Sequence, residues 1–290
     1  MMNFSQVIVL AVVQGLAELL PVSSSAHVIV TEKLMGLDPA APEMTLLLVM
    51  LHTGTMFSVI VYFWRRWHEA FFQNAQDFKR SAILLILATG LTGVVGGILI
   101  KAIEKWAFPG VPHAWIEQLF SRLDLIAPAL AVAGLLILAA ARHDKRSRAL
   151  HTTIASTMTV QQAGLIGVVQ GLCLPFRGFS RSGATISTGM LAGVPSVLAE
   201  DFSFALAVIL TPPVIARETL RLVRMRHIYD PAALMHAAIP SLLGMVLAFA
   251  TGLVALKWLS RWLASGRWYL FGIYCLLAAS LLEVLYHAGY

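Results

Sequence analysis

Six apolar blocks, near residues 45–64, 81–100, 125–141, 203–216, 232–256 and 268–286, leave this chain few ways to fold. A helix needs roughly 20 mostly apolar residues to cross the hydrocarbon core of a bilayer. The fourth block is short and carries Pro212-Pro213. Proline lacks the amide donor and its ring collides with the preceding turn, so a kink or break is expected there. Composition agrees with the blocks: of 290 residues, 58% are hydrophobic and 12% charged, against about 25% charged in a soluble domain. That is too little charge to coat a water-facing surface, and disorder would need the opposite balance. The net charge of +6 fits basic membrane loops touching anionic lipid heads better than it fits nucleic acid. Cys173 and Cys275 lie far apart in apolar stretches and suggest neither a disulfide framework nor a metal-ligand spacing. The N-terminus lacks the basic n-region of a signal peptide, so residues 4–30 are expected to be mature sequence.

Two further apolar regions are too broken to span simply. Residues 4–20 run into Pro21 and a serine cluster before 26–35 resume; residues 163–176 run into a glycine-serine-arginine cluster before 184–199 resume. Non-helical backbone at membrane depth is tolerated only inside protein or beside a wet cavity, so both regions read as re-entrant helical hairpins. They also match each other. VVQGL occurs at Val12–Leu16 and again at Val168–Leu172, a shift of 156 residues that also carries Gln14 onto Gln170 and Ser24 onto Ser180. The expected fold is therefore an all-α polytopic membrane protein of about ten helices. Six would be transmembrane helices and the others two re-entrant hairpins, in an inverted internal repeat. Within the single membrane domain 1–290, repeat one covers 1–141 with hairpin 4–35, and repeat two covers 160–290 with hairpin 163–199. Such repeats place their sites where the broken elements meet near the midplane. Arg65, Arg66, Lys79 and Arg80, and later Arg142, Lys145, Arg146 and Arg148, mark two cytoplasmic loops. The loop 217–230, with Arg217, Arg221, Arg224 and Arg226, conflicts with that orientation, and the repeat is given precedence.

Charged groups within such apolar regions cost several kcal/mol unless paired or wet, which makes them informative. Gln14 and Glu18 are four residues apart and share a helix face. With Ser23-Ser24-Ser25 and His27 they form an acidic and hydroxyl-rich tip; a carboxylate there can hold a divalent cation or a proton. The second tip reads R-G-F-S-R-S-G-A-T from Arg177 to Thr185. Gly178 and Gly183 permit a sharp turn and close approach to a ligand. Ser180, Ser182 and Thr185 offer hydroxyls, and Arg181 offers a planar fork suited to phosphate oxygens. A helix beginning near Ala184 would add its positive dipole end. Together the tips suit phosphoryl transfer on a lipid-borne substrate. His52, in mid-span, reads as a satisfied core histidine, and Glu200-Asp201 as an interfacial helix start from which Asp201 could reach a cavity.

Q-G-L-A-E-L-L-P-V-S-S-S-A-H (Gln14–His27) and G-F-S-R-S-G-A-T (Gly178–Thr185) resemble the two signature segments of the bacterial undecaprenyl-diphosphatase family, the bacitracin-resistance membrane proteins. The resemblance runs over essentially the whole chain, including F-W-R-R at Phe63–Arg66 and E-D-F-S-F at Glu200–Phe204. It implies hydrolysis of the terminal phosphate of undecaprenyl diphosphate, regenerating the monophosphate carrier lipid of cell-wall synthesis and conferring bacitracin resistance. It further implies an active site open to the periplasmic face of the inner membrane. By resemblance, Glu18, Ser24, His27 and Arg181 are catalytic. Gln14 and Glu18 hold a divalent cation, Mg2+ or Ca2+. Arg181, Ser180, Ser182, Thr185, Gly178 and Arg177 line the phosphate. The implied partners are the polyprenyl diphosphate and membrane lipids, with no nucleic acid and a homodimer left open. The nucleophile stays undecided among Ser24, His27 and water.

Two departures from the family pattern stand out. Position 14 is glutamine where many members carry glutamate, which removes one carboxylate from the cation's surroundings. Arg177 precedes Gly178 where the family has proline, and the proline stands earlier, at Pro175. The rival reading is a lipid-phosphate flippase or anion transporter on the same inverted-repeat scaffold, in which Arg181 and Glu18 bind a travelling anion and a coupling ion without bond cleavage.

Overall fold

A computed structural model of the protein describes residues 3–38, 41–71, 74–107, 122–149, 157–224 and 231–288. Among these residues there are ten α-helices and no strands. They are α1 (Phe4–Leu19), α2 (Ser24–Leu34), α3 (Pro42–Phe71), α4 (Ala75–Ala107), α5 (Leu123–Ala149), α6 (Val160–Cys173), α7 (Arg181–Leu191), α8 (Ser196–Arg224), α9 (Pro231–Ala264) and α10 (Tyr269–His287). Six of them, α3, α4, α5, α8, α9 and α10, are long and apolar enough to cross a bilayer. These contain the six blocks read from the sequence. The two broken regions form α1 and α2, and α6 and α7, each pair joined by a short non-helical tip.

The hairpins start and stop by the same local chemistry. Asn3 caps α1 and Gln6 caps it in return, with both hydrogen bonds at 2.9 Å. Thr159 and Gln162 repeat that reciprocal box at α6, at the same 156-residue shift. Each box satisfies two amides that a helix start leaves without partners. At the other end, α2 and α7 each stop on a glycine at positive φ, Gly36 and Gly193. Leu37 N donates to Glu32 O and Val194 N to Gly189 O, the six-to-one bond of a Schellman stop. Both second helices have 11 residues, but they begin at Ser24 and Arg181, a shift of 157. From the start of its first helix to the start of its second, the second hairpin holds one residue more, so in helix register Ser24 lines up with Arg181, and Ser23 with Ser180.

The chain divides into two compact units. The first comprises residues 1–20, 24–65 and 207–259. Its core is built from Val7, Leu10 and Ala11 of α1, Val28 of α2, Met44, Leu47 and Leu51 of α3, and Ala248 of α9. Gly15 of α1 lies against the Thr251 hydroxyl and Ala248 carbonyl of α9, and a β-carbon there would collide with both. Small residues at such crossings let backbones approach where apolar lipid offers no hydrophobic drive between helices.

The second unit comprises residues 21–23, 66–206 and 260–290. In it, α6 packs on α4 through Gly171, which meets the Thr92 carbonyl, Val95 and Gly96. Subtracting 156 from Gly171 gives Gly15, and adding it to Thr92, Val95 and Gly96 gives Ala248, Thr251 and Gly252. The same crossing thus recurs in each unit from equivalent residues, consistent with an internal repeat. Within this unit α7 and α10 also pack on α5. Arg66 pairs with both Glu200 and Asp201, at 3.0 and 2.9 Å. Ser260 Oγ donates to Glu200, and Trp67 Nε1 donates to the Asp201 carbonyl. These two carboxylates are buried within α8 rather than standing at an interfacial helix start.

The structure corrects four further boundaries. Pro212-Pro213 does not interrupt its helix, because α8 runs from Ser196 to Arg224 with both prolines inside. Each proline removes one ladder bond, and the turns on either side keep the helix, with Thr211 Oγ1 donating to Ala207 O at 2.7 Å. The expected helix 184–199 is divided by the stop at Gly193, with α8 beginning only at Ser196. α7 starts at Arg181 rather than near Ala184, because Ser180 caps it. Of the basic loop 217–230, Arg217 and Arg221 lie in α8, while Arg226 is outside the described residues.

Candidate functional site

The first unit gathers its polar groups around Glu18, in the last turn of α1. Its Oε2 accepts from the Ser24 hydroxyl at 2.5 Å and from Gln14 Nε2 at 3.2 Å. Gln14 reaches it because four residues of helix return the side chain to the same face. Ser24 reaches it because the chain reverses at Ser23, whose φ of 67° is rare for a side-chain-bearing residue. The Glu18 side chain is 13% exposed, so its hydrogen bonds to Ser24 and Gln14 lie largely out of water. His27, Ser25 and Ser24 are half-buried on the first turn of α2. His27 lends its carbonyl to the Thr31 hydroxyl at 2.7 Å.

One residue of this group departs from the expected reading. His52 of α3 is not merely a satisfied core histidine. Its Nδ1 bonds the Leu48 carbonyl at 2.8 Å, while its Nε2 lies 3.8 Å from Glu18 Oε2. No signal in the sequence joins positions 18 and 52. A polar side chain in the middle of an apolar span was the available cue.

The second unit holds the basic tip. Arg181 is half-buried at the first position of α7, and Arg177 is exposed on the tip. Gly178 sits at φ +101° with the Ile126 carbonyl of α5 where a β-carbon would stand. Its freedom is therefore used to seat the tip against α5. Ser180 Oγ accepts from Gly183 N at 3.3 Å as the helix cap. Thr185 is fully buried, donating to the Arg181 carbonyl at 2.8 Å and sharing a short hydrogen bond with Ser203. Ser182 is also buried. The hydroxyls read as phosphate contacts thus brace the turn, at least in part, while Arg181 opens the helix where backbone amides and dipole favour an oxyanion.

Among the described residues no three His, Cys, Asp or Glu side chains gather as a metal-ligand set. Glu18 with the Gln14 amide is nevertheless a pair suited to a hard cation, since Mg2+ commonly takes one or two carboxylates and completes its shell with water and substrate phosphates. The residues fit a divalent cation of that kind.

The chain matches known proteins over nearly its whole length. Residues 7–281 match the family described as bacitracin resistance protein BacA. The "Undecaprenyl-diphosphatase 2" of Acinetobacter baylyi is 56% identical over 278 residues, covering 95% of both chains. The "Undecaprenyl-diphosphatase" of Gluconacetobacter diazotrophicus is 33% identical over 293 residues, covering 96% of this chain and 95% of its own. The "Undecaprenyl-diphosphatase 2" of Burkholderia orbicola is 35% identical over 280 residues, covering 93% and 92%. With six membrane-crossing helices, two polar-tipped hairpins and a match of this length, the chain belongs to the BacA bacitracin-resistance family of multi-pass membrane proteins.

Proposed function

We propose that this protein is an undecaprenyl-diphosphate phosphatase, hydrolysing the terminal phosphoanhydride to give undecaprenyl phosphate and inorganic phosphate. The observation that carries the mechanism is the Ser24 hydroxyl donating to Glu18 Oε2 at 2.5 Å. A hydroxyl is a weak nucleophile until a base takes its proton, and a carboxylate within hydrogen-bond reach is that base. Ser24 Oγ attacks the terminal phosphorus as Glu18 accepts its proton, and the bond to the bridging oxygen breaks. Undecaprenyl phosphate leaves, and water then cleaves the phosphoserine. Arg181 is assigned the charge of the phosphoryl oxygens, for which a fixed guanidinium fork is suited. His27, on the same turn as Ser24, is assigned proton transfer to the leaving oxygen.

Gln14 and Glu18 would hold the divalent cation, Mg2+ or Ca2+, which supplies neutralisation of phosphate charge when bound. The chain's own residues orient: Gln14 fixes the carboxylate's rotamer, and the capped start of α7 fixes Arg181. The bacterial inner membrane, with the site opening to the periplasmic face, suits a lipid substrate whose headgroup is cleaved at the surface. The test is phosphate release from a polyprenyl diphosphate by the purified protein, with and without Mg2+ or Ca2+. Release by the wild type, with trapping of phosphate on Ser24 and loss in Ser24→Ala, is expected. Absence of release, or undiminished release from Glu18→Ala and Arg181→Ala, rejects the reading.

A further inference from the structure

The gap between His52 and Glu18 has a chemical consequence. The Leu48 carbonyl can only accept, so His52 makes its 2.8 Å bond by donating from Nδ1. A neutral imidazole so bonded carries its lone pair on Nε2, and that nitrogen lies 3.8 Å from a carboxylate oxygen. That lone pair faces a carboxylate oxygen that already accepts from Ser24 and Gln14, and the two are too far apart for a hydrogen bond between them. A cation between them can take both as ligands, because nitrogen and oxygen ligands sit about 2.0–2.2 Å from a small divalent ion. A metal-bound histidine almost always donates its other ring N–H to a carbonyl or carboxylate, which fixes tautomer and ring orientation. The bond to Leu48 is that second contact. The position is also held firmly: Leu47 and Leu51 of α3 pack with Val7, Leu10 and Ala11 of α1 in the core of the same unit, all fully buried.

We propose that His52 is a ligand of the divalent cation, binding through Nε2 opposite Glu18 and replacing the carboxylate that Gln14 does not supply. The proposal takes the cation's presence from the function argued above, but its consequence is independent of catalysis. A nitrogen ligand moves the site's preference away from Ca2+, which takes oxygen ligands, toward transition metals.

The experiment is pulsed electron paramagnetic resonance of Mn2+ added to the purified full-length protein, alone and with methylenediphosphonate as a non-hydrolysable diphosphate. Nitrogen-14 coupling from one imidazole is expected in the wild type. It is lost in His52→Ala and in His52→Gln, which keeps a polar side chain of similar reach. Mn2+ affinity falls ~10-fold or more in both variants, as metal sites lose at least that much when a supporting group is removed, whereas Ca2+ affinity changes less. An elution profile like the wild type's shows that at least one variant remains folded. Bound Mn2+ without nitrogen coupling, coupling that survives in His52→Gln, or no Mn2+ binding under either condition overturns the proposal. The first of those results together with normal phosphate release leaves the phosphatase intact and assigns His52 to an ion pair with Glu18 instead.

Discussion

The two hairpins are built alike and equipped differently. α1 and α6 begin with the same reciprocal cap, cross a neighbouring span through equivalent glycines, and are followed by second helices of 11 residues ending at positive-φ glycines. Their glutamines, equivalent at 156 residues, have different tasks. Gln170 is fully buried and donates to the Thr92 hydroxyl, which in turn donates to Gly167 O, so it ties α6 to α4. Gln14 donates to Glu18, whose own equivalent under the shift is Leu174. A repeated residue is a structural clamp in one hairpin and, in the proposed mechanism, part of the chemistry in the other. At the second-helix starts the pair Ser24 and Arg181 divides in the same way, an acid-supported hydroxyl against a cation.

Six substitutions break or sharpen that contrast, beginning with the largest effect. Glu18→Gln should lower phosphate release by about 10²–10⁴-fold, the usual contribution of a general base, with the melting temperature in detergent little changed. A simultaneous collapse of stability would make Glu18 a structural clamp like Gln170. Next come the crossings. Gly15→Leu and Gly171→Leu should each destabilise by about 1–3 kcal/mol or more, the cost of overpacking, read as matching losses in thermal unfolding. A large effect at one glycine alone would undo the equivalence of the two crossings.

The glutamines separate the roles directly. Gln170→Leu should cost about 0.5–1.5 kcal/mol through the lost bond to the Thr92 hydroxyl and alter kcat little. Gln14→Leu should show the reverse, measured by unfolding and phosphate release on the same preparations. The smallest effect is expected from Ser180→Ala, about 1 kcal/mol for a lost helix cap. If its phosphate release fell far more than its stability, Ser180 would be a substrate contact as well as a cap.

Much of this was legible in the linear sequence because it is local. Span length and the spacing of Gln14 and Glu18 depend on residues within a few turns of one another, whereas the equally local Gly193 stop and Ser180 cap were passed over. The six spans, the paired hairpins and the tip residues could therefore be named from residue order. Sequence left a kink or a break open at Pro212-Pro213, because proline's local cost was visible while the helix on both sides that outweighs it was not; the structure excludes the break. The helix register of the tips was shifted by one residue for a related reason: identical letters aligned Ser24 with Ser180, whereas caps and helix starts align Ser24 with Arg181.

Sequence by itself determined the solvent, the helices and the chemical vocabulary, since hydrophobic length and backbone capping act over short distances. Only the tertiary structure decided which groups meet. Arg66 finds Glu200 and Asp201 across more than 130 positions of chain, and His52 finds Glu18 because the core between α1 and α3 holds their faces together. A buried charge must find a partner, but its residue type does not say where along the chain that partner lies.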